Sequence, residues 1–335
     1  MAAVTDVSVG YAPESAYGTP VTVTRWLEFT DESLDWKPNK VQGKGLRVGS
    51  KVGRSNRRVI TTYDGGGAVT HEVMSKGFGV PFRAAFGAGV STLISGTAYQ
   101  QNFTLDDAPS SLTIQKGVVD STGTVQPYTF AGCMCKSMEL SVDKAGILMA
   151  KFDWDAKNMA TATAYTAPSY AAGGSLFHFA QGAITIGGTV TAPTTNTLAT
   201  GGTAVANVTN FSLSLDNAMG ASRFNLGGAG LKAGAAPRGV RGLSGKLTAD
   251  VTDTVLRDAI LADTELAVVL TFTSTESLST GVAQLSVYLP AVKFDGSMPQ
   301  ATGDLPTIDL TFDVLDNLTA STPAMLSVRT SDATF

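Results

Sequence analysis

The chain has 335 residues, room for one large domain or two of about 150. Hydrophobic residues make up 43%, enough for ordinary cores, but only 16% are charged against a usual ~25%, which favours burial of surface against partners. A net charge of −4 gives no overall attraction to nucleic acid, no apolar run of about 18 residues offers a membrane span, and residues 1–17 lack the basic start and apolar run of a secretory signal, so none is expected.

Residues 1–20 are polar and punctuated by Gly10, Pro13, Gly18 and Pro20, and read as an extended arm. Residues 21–29 are β-branched and aromatic and predict a strand, broken or bulged near Trp26, which falls out of the alternation. From 37 to 58 hydrophobic periodicity stops. Lys37, Lys40, Lys44, Arg47, Lys51, Arg54, Arg57 and Arg58 follow one another with no acid between them, among Gly43, Gly45, Gly49 and Gly53. A loop of this length is functional or mobile. It reads as a solvated loop, a nucleic-acid surface or a dock for an acidic protein surface. Few aromatics and an acidic remainder speak against the second reading, and Leu46 supplies an apolar anchor for the third.

Residues 59–73 predict a strand, a turn at Gly65-Gly66-Gly67 and a second strand. Residues 75–88 predict a helix with Phe82 and Phe86 on one face. Strands follow at 98–105 and 111–118 around a turn at Asp106-Asp107-Ala108-Pro109, then a hairpin of 128–142 and 147–155 about Lys144-Ala145-Gly146. Beyond a patternless linker, residues 183–190 open a second series. A Thr/Ala/Gly-rich insertion fills 191–204, a strand spans 205–215, a second long loop 217–237 and a strand 240–251. Asp253 is placed to cap a short helix at 254–262 with Leu256 and Ile260 inward. Strands at 266–273, 283–289, 291–294 and 305–314 complete the pattern.

The two series repeat one another. Ser33-Leu34-Asp35 returns as Ser214-Leu215-Asp216, Gly45-Leu46-Arg47-Val48-Gly49 as Gly230-Leu231-Lys232-Ala233-Gly234, Arg57 with Val59 as Arg238 with Val240, and Gly67–Val73 as Gly245–Val251. The offsets are 181, 185, 181 and 178. The period is far above a solenoid's and predicts two whole copies of one fold. A looser echo, Phe152-Asp153 and Phe312-Asp313, has offset 160, so the second copy is shorter between helix and last strand.

No catalytic constellation is visible. The two histidines, His71 and His178, lie in no nucleophile motif. Gly65-Gly66-Gly67 and Gly227-Gly228 lack the lysine and helix of a phosphate loop and read as turns. Asp106-Asp107 and the Asp153/Asp155 pair read as turn chemistry. Cys133 and Cys135 share one strand face as small core residues; two thiols complete no zinc site and form no disulfide framework. No enzyme activity, metal or cofactor is expected.

Gly10-Tyr11-x-x-Glu14-x-x-Tyr17-Gly18-Thr19-x-Val21 resembles the start of tail tube proteins (major tail proteins) of long-tailed, siphovirus-type bacteriophages. So do Trp26-Leu27-Glu28-Phe29-Thr30, the Gly45-Leu46-Arg47 and Arg57-Arg58-Val59 arm, Lys76-Gly77-Phe78-Gly79, Leu289–Gly296 and Thr330-Ser331-Asp332-Ala333. The resemblance implies a β-sandwich or barrel with one flanking helix, closing with its copies into rings around a channel. The rings stack into a tube through which tape-measure protein and then DNA leave. The type VI secretion tube protein and contractile-phage inner tubes are similar folds. That family commonly has one tube fold per subunit and six per ring; two copies per chain imply three chains.

The expected architecture is therefore mainly β, with two tandem tail-tube-like β-sandwich or barrel domains, each with one short helix and a long loop. The arm spans 1–20, the first domain 21–158, the linker 159–178 and the second domain 179–335. The expected partner is the chain itself, as a homotrimeric pseudo-sixfold ring stacked helically, or alternatively a homohexamer. Tape-measure and tail-end proteins are the other expected partners. DNA passes the lumen without specific binding, no membrane is involved, and the place is the virion tail, assembled in the host bacterial cytoplasm. The inter-subunit loop residues are Lys44, Leu46, Arg47, Lys51, Arg54, Arg57 and Arg58, with counterparts Leu231, Lys232 and Arg238; Asp143, Asp153 and Asp155 are the lumen-facing acids. The competing reading is a non-catalytic β-sandwich carbohydrate-binding or adhesin module. It calls for clustered exposed aromatics, whereas Trp26, Trp36 and Trp154 are scattered.

Overall fold

A computed structural model describes residues 6–107, 111–205, 207–220, 223–251, 254–297 and 306–335. Outside them lie residues 1–5 of the expected arm, Ala108 and Pro109 of the expected turn, Ala206, Ala221 and Ser222, the expected helix cap Asp253, and Leu305 at the start of an expected strand.

The chain is mainly β. Its first half carries β1 (Ser8–Pro13), β2 (Arg25–Trp26), β3 (Asp31–Glu32), β4 (Asp35–Gln42), β5 (Arg58–Glu72), α1 (Gly79–Phe86), β6 (Gly87–Ser95), β7 (Ala98–Leu105), β8 (Leu112–Val119), β9 (Val125–Val142), β10 (Met149–Ala156) and β11 (Asn158–Ala160). The second carries β12 (Gly182–Ile186), β13 (Val190–Thr191), β14 (Thr200–Gly201), β15 (Ala204–Val205), β16 (Val208–Asp216), β17 (Gly242–Asp250), α2 (Val255–Leu261), β18 (Leu266–Ser277), β19 (Val282–Gly296), β20 (Thr307–Val314) and β21 (Met325–Thr330). Neither helix is long and apolar enough to cross a membrane.

Seven ladders of the first half have counterparts in the second, all antiparallel. β1·β2 matches β12·β15, β1·β8 matches β12·β18, and β8·β9 matches β18·β19. β9·β10 matches β19·β20, β10·β5 matches β20·β17, β3·β5 matches β16·β17, and β9·β11 matches β19·β21. One helix follows β5 and the other follows β17. Among the described residues the β6–β7 hairpin has no such counterpart; β7 pairs instead with β21 of the second half.

Long strands bridge the layers. The first part of β9 pairs with β8 and β11, and its last part with β10 and β16. β19 behaves alike, pairing with β18 and β21 and then with β20. The result is one continuous sheet running β3/β4–β5–β10–β9–β16–β17–β20–β19, with the two halves joined at β9·β16. Alternation along these strands buries one face. Val69, Phe152, Met138, Leu140, Leu213, Leu215, Leu247, Phe312 and Phe294 point into a core shared with Phe82, Phe86 and Phe103. Each large side chain buried there contributes about 1.5–3 kcal/mol.

Several elements differ from expectation for identifiable reasons. Residues 37–42 belong to β4, and the basic loop is the tip of a long β4–β5 hairpin. That hairpin has hardly a buried side chain along β4 and the start of β5, so no apolar alternation betrays it. Gly65-Gly66-Gly67 is no turn but the middle of the continuous strand β5. A Cβ on Gly66 would lie 2.0 Å from the Trp154 carbonyl oxygen, and one on Gly67 2.2 Å from that of Ser33. The glycines let three backbones approach closely, and their φ values, 137° and 142°, suit no other residue. Ser8–Pro13, inside the expected arm, is a strand with Val9 and Tyr11 fully buried. The expected helix at 75–88 is confined to Gly79–Phe86, closed by Gly87 at φ 106°.

Candidate assembly surfaces

Three surfaces stand out. The first is the solvated face of the continuous sheet. The registers set Lys151 opposite Glu139 and Thr70, Ser214 opposite Glu139 and Ser244, and Lys246 opposite Ser212 and Thr311. Directly opposed residues share a face, so this one also carries Asp31, Glu72, Asp153, Asp216, Asp250, Asp295, Asp309 and Asp313. Against these acids and Glu139 stand Lys136, Lys151, Lys246 and Lys293, with Lys37 beside Asp35 and Asp64 where the face continues onto the β4–β5 hairpin. Of the three acids singled out from sequence, Asp153 lies on this face, 2.9 Å from the Lys136 ammonium. Asp143 sits at the β9–β10 turn, where its carbonyl accepts the Gly146 N–H. Asp155 follows a bulge between Asp153 and Trp154 and is covered.

The cover is the second surface, loop 217–241. Arg223 and Lys232 both pair with Asp155, and Lys232 donates to the Ala156 carbonyl at 3.2 Å. The Tyr63 N–H donates to Gly230 O. Arg238 donates to the carbonyls of Ala84, Phe86 and Asp106 at 2.8, 3.3 and 2.7 Å. Asn217, fully buried, donates to Ala85 O and Cys135 O. The last carbonyls of a helix lack internal partners and carry partial negative charge; this loop satisfies those of α1. Lys232 and Arg238, expected at a subunit contact, thus have partners within the chain, while Leu231 is half-buried. Asn217, Arg223 and Arg241, whose Nε donates to Asn217 Oδ1 at 3.1 Å, were not singled out from sequence. Asn217 gave no signal, and that of the two arginines was negative: cations with no acid near them in sequence need distant ones.

The third surface is loop 43–57 at the hairpin tip. Leu46 and Val48 are fully exposed, Val52 nearly so. Among the described residues Lys44, Arg47, Lys51, Arg54, Arg57 and Arg58 form no ion pair. Single exposed apolar residues are ordinary, but three on one cationic loop are not.

A concavity of about 470 Å³ is lined by Val142, Phe179, Ile184, Val205, Phe211, Leu270, Phe272 and their neighbours, with no titratable side chain. Among the described residues no three His, Cys, Asp or Glu side chains converge as a metal site. Cys133 and Cys135 are free and fully buried, and burial pushes the Cys135 thiol out of reach of ordinary pH. His71 is also buried. Its Nδ1 bonds the Glu28 carbonyl at 2.7 Å, which makes Nδ1–H the donor and leaves Nε2 to accept the Tyr11 hydroxyl at 2.9 Å. Burial lowers its pKa to about 4, opposed by the bond to Glu28. It is a neutral structural pin between β1 and β5.

A search of curated proteins finds no match. The family model for phage tail tube proteins matches residues 5–314, nearly the whole chain. With a strand-dominated fold and a family match over nearly all of its length, the chain belongs to the phage tail tube proteins, structural components of the virion tail.

Proposed function

We propose that this chain is the repeating subunit of the tail tube itself, closing into rings with its own copies and stacking them into a hollow conduit for tape-measure protein and DNA. Its two halves, 21–158 extended at its start by β1 and 179–335, are two copies of one tube fold, so three chains make a pseudo-sixfold ring. Assembly takes place in the host cytoplasm. The observation that carries this reading is the matched set of seven ladders, together with the continuous sheet that joins the copies. A sheet with one apolar face and two free ends is half-finished: copies that join end to end remove its edges, and closed rings are the usual outcome of such head-to-tail contacts.

The solvated face of that sheet lines the channel. Its excess of acids repels phosphate, whereas a cationic wall would hold DNA through many contacts and slow its exit. Residues 37–58 reach out from the ring and dock on a neighbouring subunit or ring, Leu46 providing the apolar anchor. Loop 217–241 supplies the pattern for such docking inside the chain. Electron microscopy of the concentrated protein tests the proposal. Hollow tubes of stacked rings are expected; persistent monomers, together with absence of the chain from the tail shaft of virions, would overturn it.

A further inference from the structure

The ladder that joins the two halves specifies how two chains join. Within the chain, Met138 of β9 stands opposite Leu215 of β16, Glu139 opposite Ser214 and Ser137 opposite Asp216. Each partner has a counterpart on a free edge. Phe152 lies opposite Met138 and Phe312 opposite Phe294, so Phe294 stands where Met138 does. Ser33-Leu34-Asp35 stands where Ser214-Leu215-Asp216 does. β18 leaves β19 at Val292, so among the described residues nothing pairs residues 293–296 on that side.

Both edges are held shut by their own carboxylates. Glu32 accepts the Leu34 N–H at 3.0 Å, and Asp35 accepts that of Trp36 at 2.7 Å. On the other edge Asp295 accepts the Gly296 N–H at 2.8 Å. Lys116 pairs with Glu32 and reaches the Leu34 carbonyl at 3.5 Å. The Ser33 N–H, pointing the other way, already bonds Ala68 O in β5.

We propose that a second copy of this chain adds its β19 edge, residues 293–295, antiparallel to the β3–β4 edge, residues 33–35, with Phe294 opposite Leu34, and that Glu32, Asp35 and Asp295 cap the two edges until it does. The proposal rests on the reading that the halves are copies and that chains self-associate. In this register Leu34 and Phe294, both buried, extend the apolar face. Ser33 meets Asp295 and Asp35 meets Lys293 on the solvated face, the second an opposite-charge pair. Unpaired N–H groups make an edge adhesive, and side-chain caps blunt it.

Cysteine cross-linking tests the register, because directly opposed residues have Cβ atoms about 4.5–5.5 Å apart and the native cysteines are buried. Chains carrying Ser33→Cys, mixed with chains carrying Asp295→Cys and oxidised after assembly, should give a covalent dimer. The pair Ser214→Cys with Glu139→Cys in one chain is the internal control. Tubes that form without the dimer, while the control closes, would overturn the register and leave self-association standing; wild-type protein that never assembles would instead overturn the parent reading. Asp295→Ala, which uncaps Gly296, should start tubes at several-fold lower protein concentration. Unchanged or slower nucleation would overturn the capping role.

Discussion

The two long loops occupy the same place in the two halves, between the strand that ends each first repeat and the strand that carries the last, yet they meet opposite fates. Loop 217–241 lies against the first half, its Arg223 and Lys232 on Asp155 and its Arg238 on the end of α1. Loop 43–57 stands on an exposed hairpin with its cations unmatched among the described residues and Leu46 in solvent. One loop has found an acidic pocket and a helix end within its own chain. The other, carrying the same Gly-Leu-basic-x-Gly core, has found none. The difference teaches that the same Gly-Leu-basic-x-Gly segment is docked in one half and free in the other, and on the proposed reading the free one docks on another chain. In the second half, α2 ends at Leu261, and Val255, Leu261, Leu315 and Leu318 are exposed.

The sharpest way to break the comparison is to unpair the internal loop. Asp155→Ala strips the counter-charge from Arg223 and Lys232, whose side chains are 9% and 4% exposed. Leaving buried charges uncompensated costs about 3–5 kcal/mol, so a large drop in melting temperature is expected. A drop within error would mean that the loop is not anchored there. Gly66→Ala attacks the close backbone approach beside it. With φ at 137° and the Trp154 oxygen in the way, it should cost at least about 1–3 kcal/mol, read by denaturant titration.

A lever in neither loop calibrates both. His71 has its folded pKa lowered to about 4, below its unfolded value of about 6.5. A proton then favours the unfolded chain, so its contribution is whole above pH 6.5 and is lost as pH falls from there towards 4. About 2 kcal/mol should go between pH 7 and 5, and His71→Gln should flatten that slope of stability against pH. The smallest effect on stability belongs to the free loop. Replacing Arg47, Arg54, Arg57 and Arg58 together by Ser should move unfolding by no more than about 0.5 kcal/mol, yet leave a protein that polymerises poorly. Normal tubes from that variant would show that the loop docks nowhere.

Legibility followed locality. β7 was readable to the residue, bounded by Gly96 before it and the Asp106-Asp107 turn after it, and Phe82 and Phe86 marked α1 by their spacing. The repeat was readable because it is a relation of sequence to sequence. The β4–β5 hairpin was not, since a strand with no core face carries no alternation. β1 hid behind Gly10 and Pro13 although Val9 and Tyr11 are core. The β6 strand, opening Gly-Ala-Gly, gave no signal at all. Of the site, the cationic loop was evident from composition, and Asp153 fell on the solvated face. The placing of Lys232 on Asp155, 77 residues away, depends on a loop crossing between halves, which no local pattern encodes.

The central claim is that two fold copies per chain make a ring of three. Native mass spectrometry of rings released from tubes counts the chains directly. The account predicts three, with symmetry averaging in micrographs giving threefold rings whose six lobes alternate; rings of six chains, or halves whose lobes do not superpose, would contradict it.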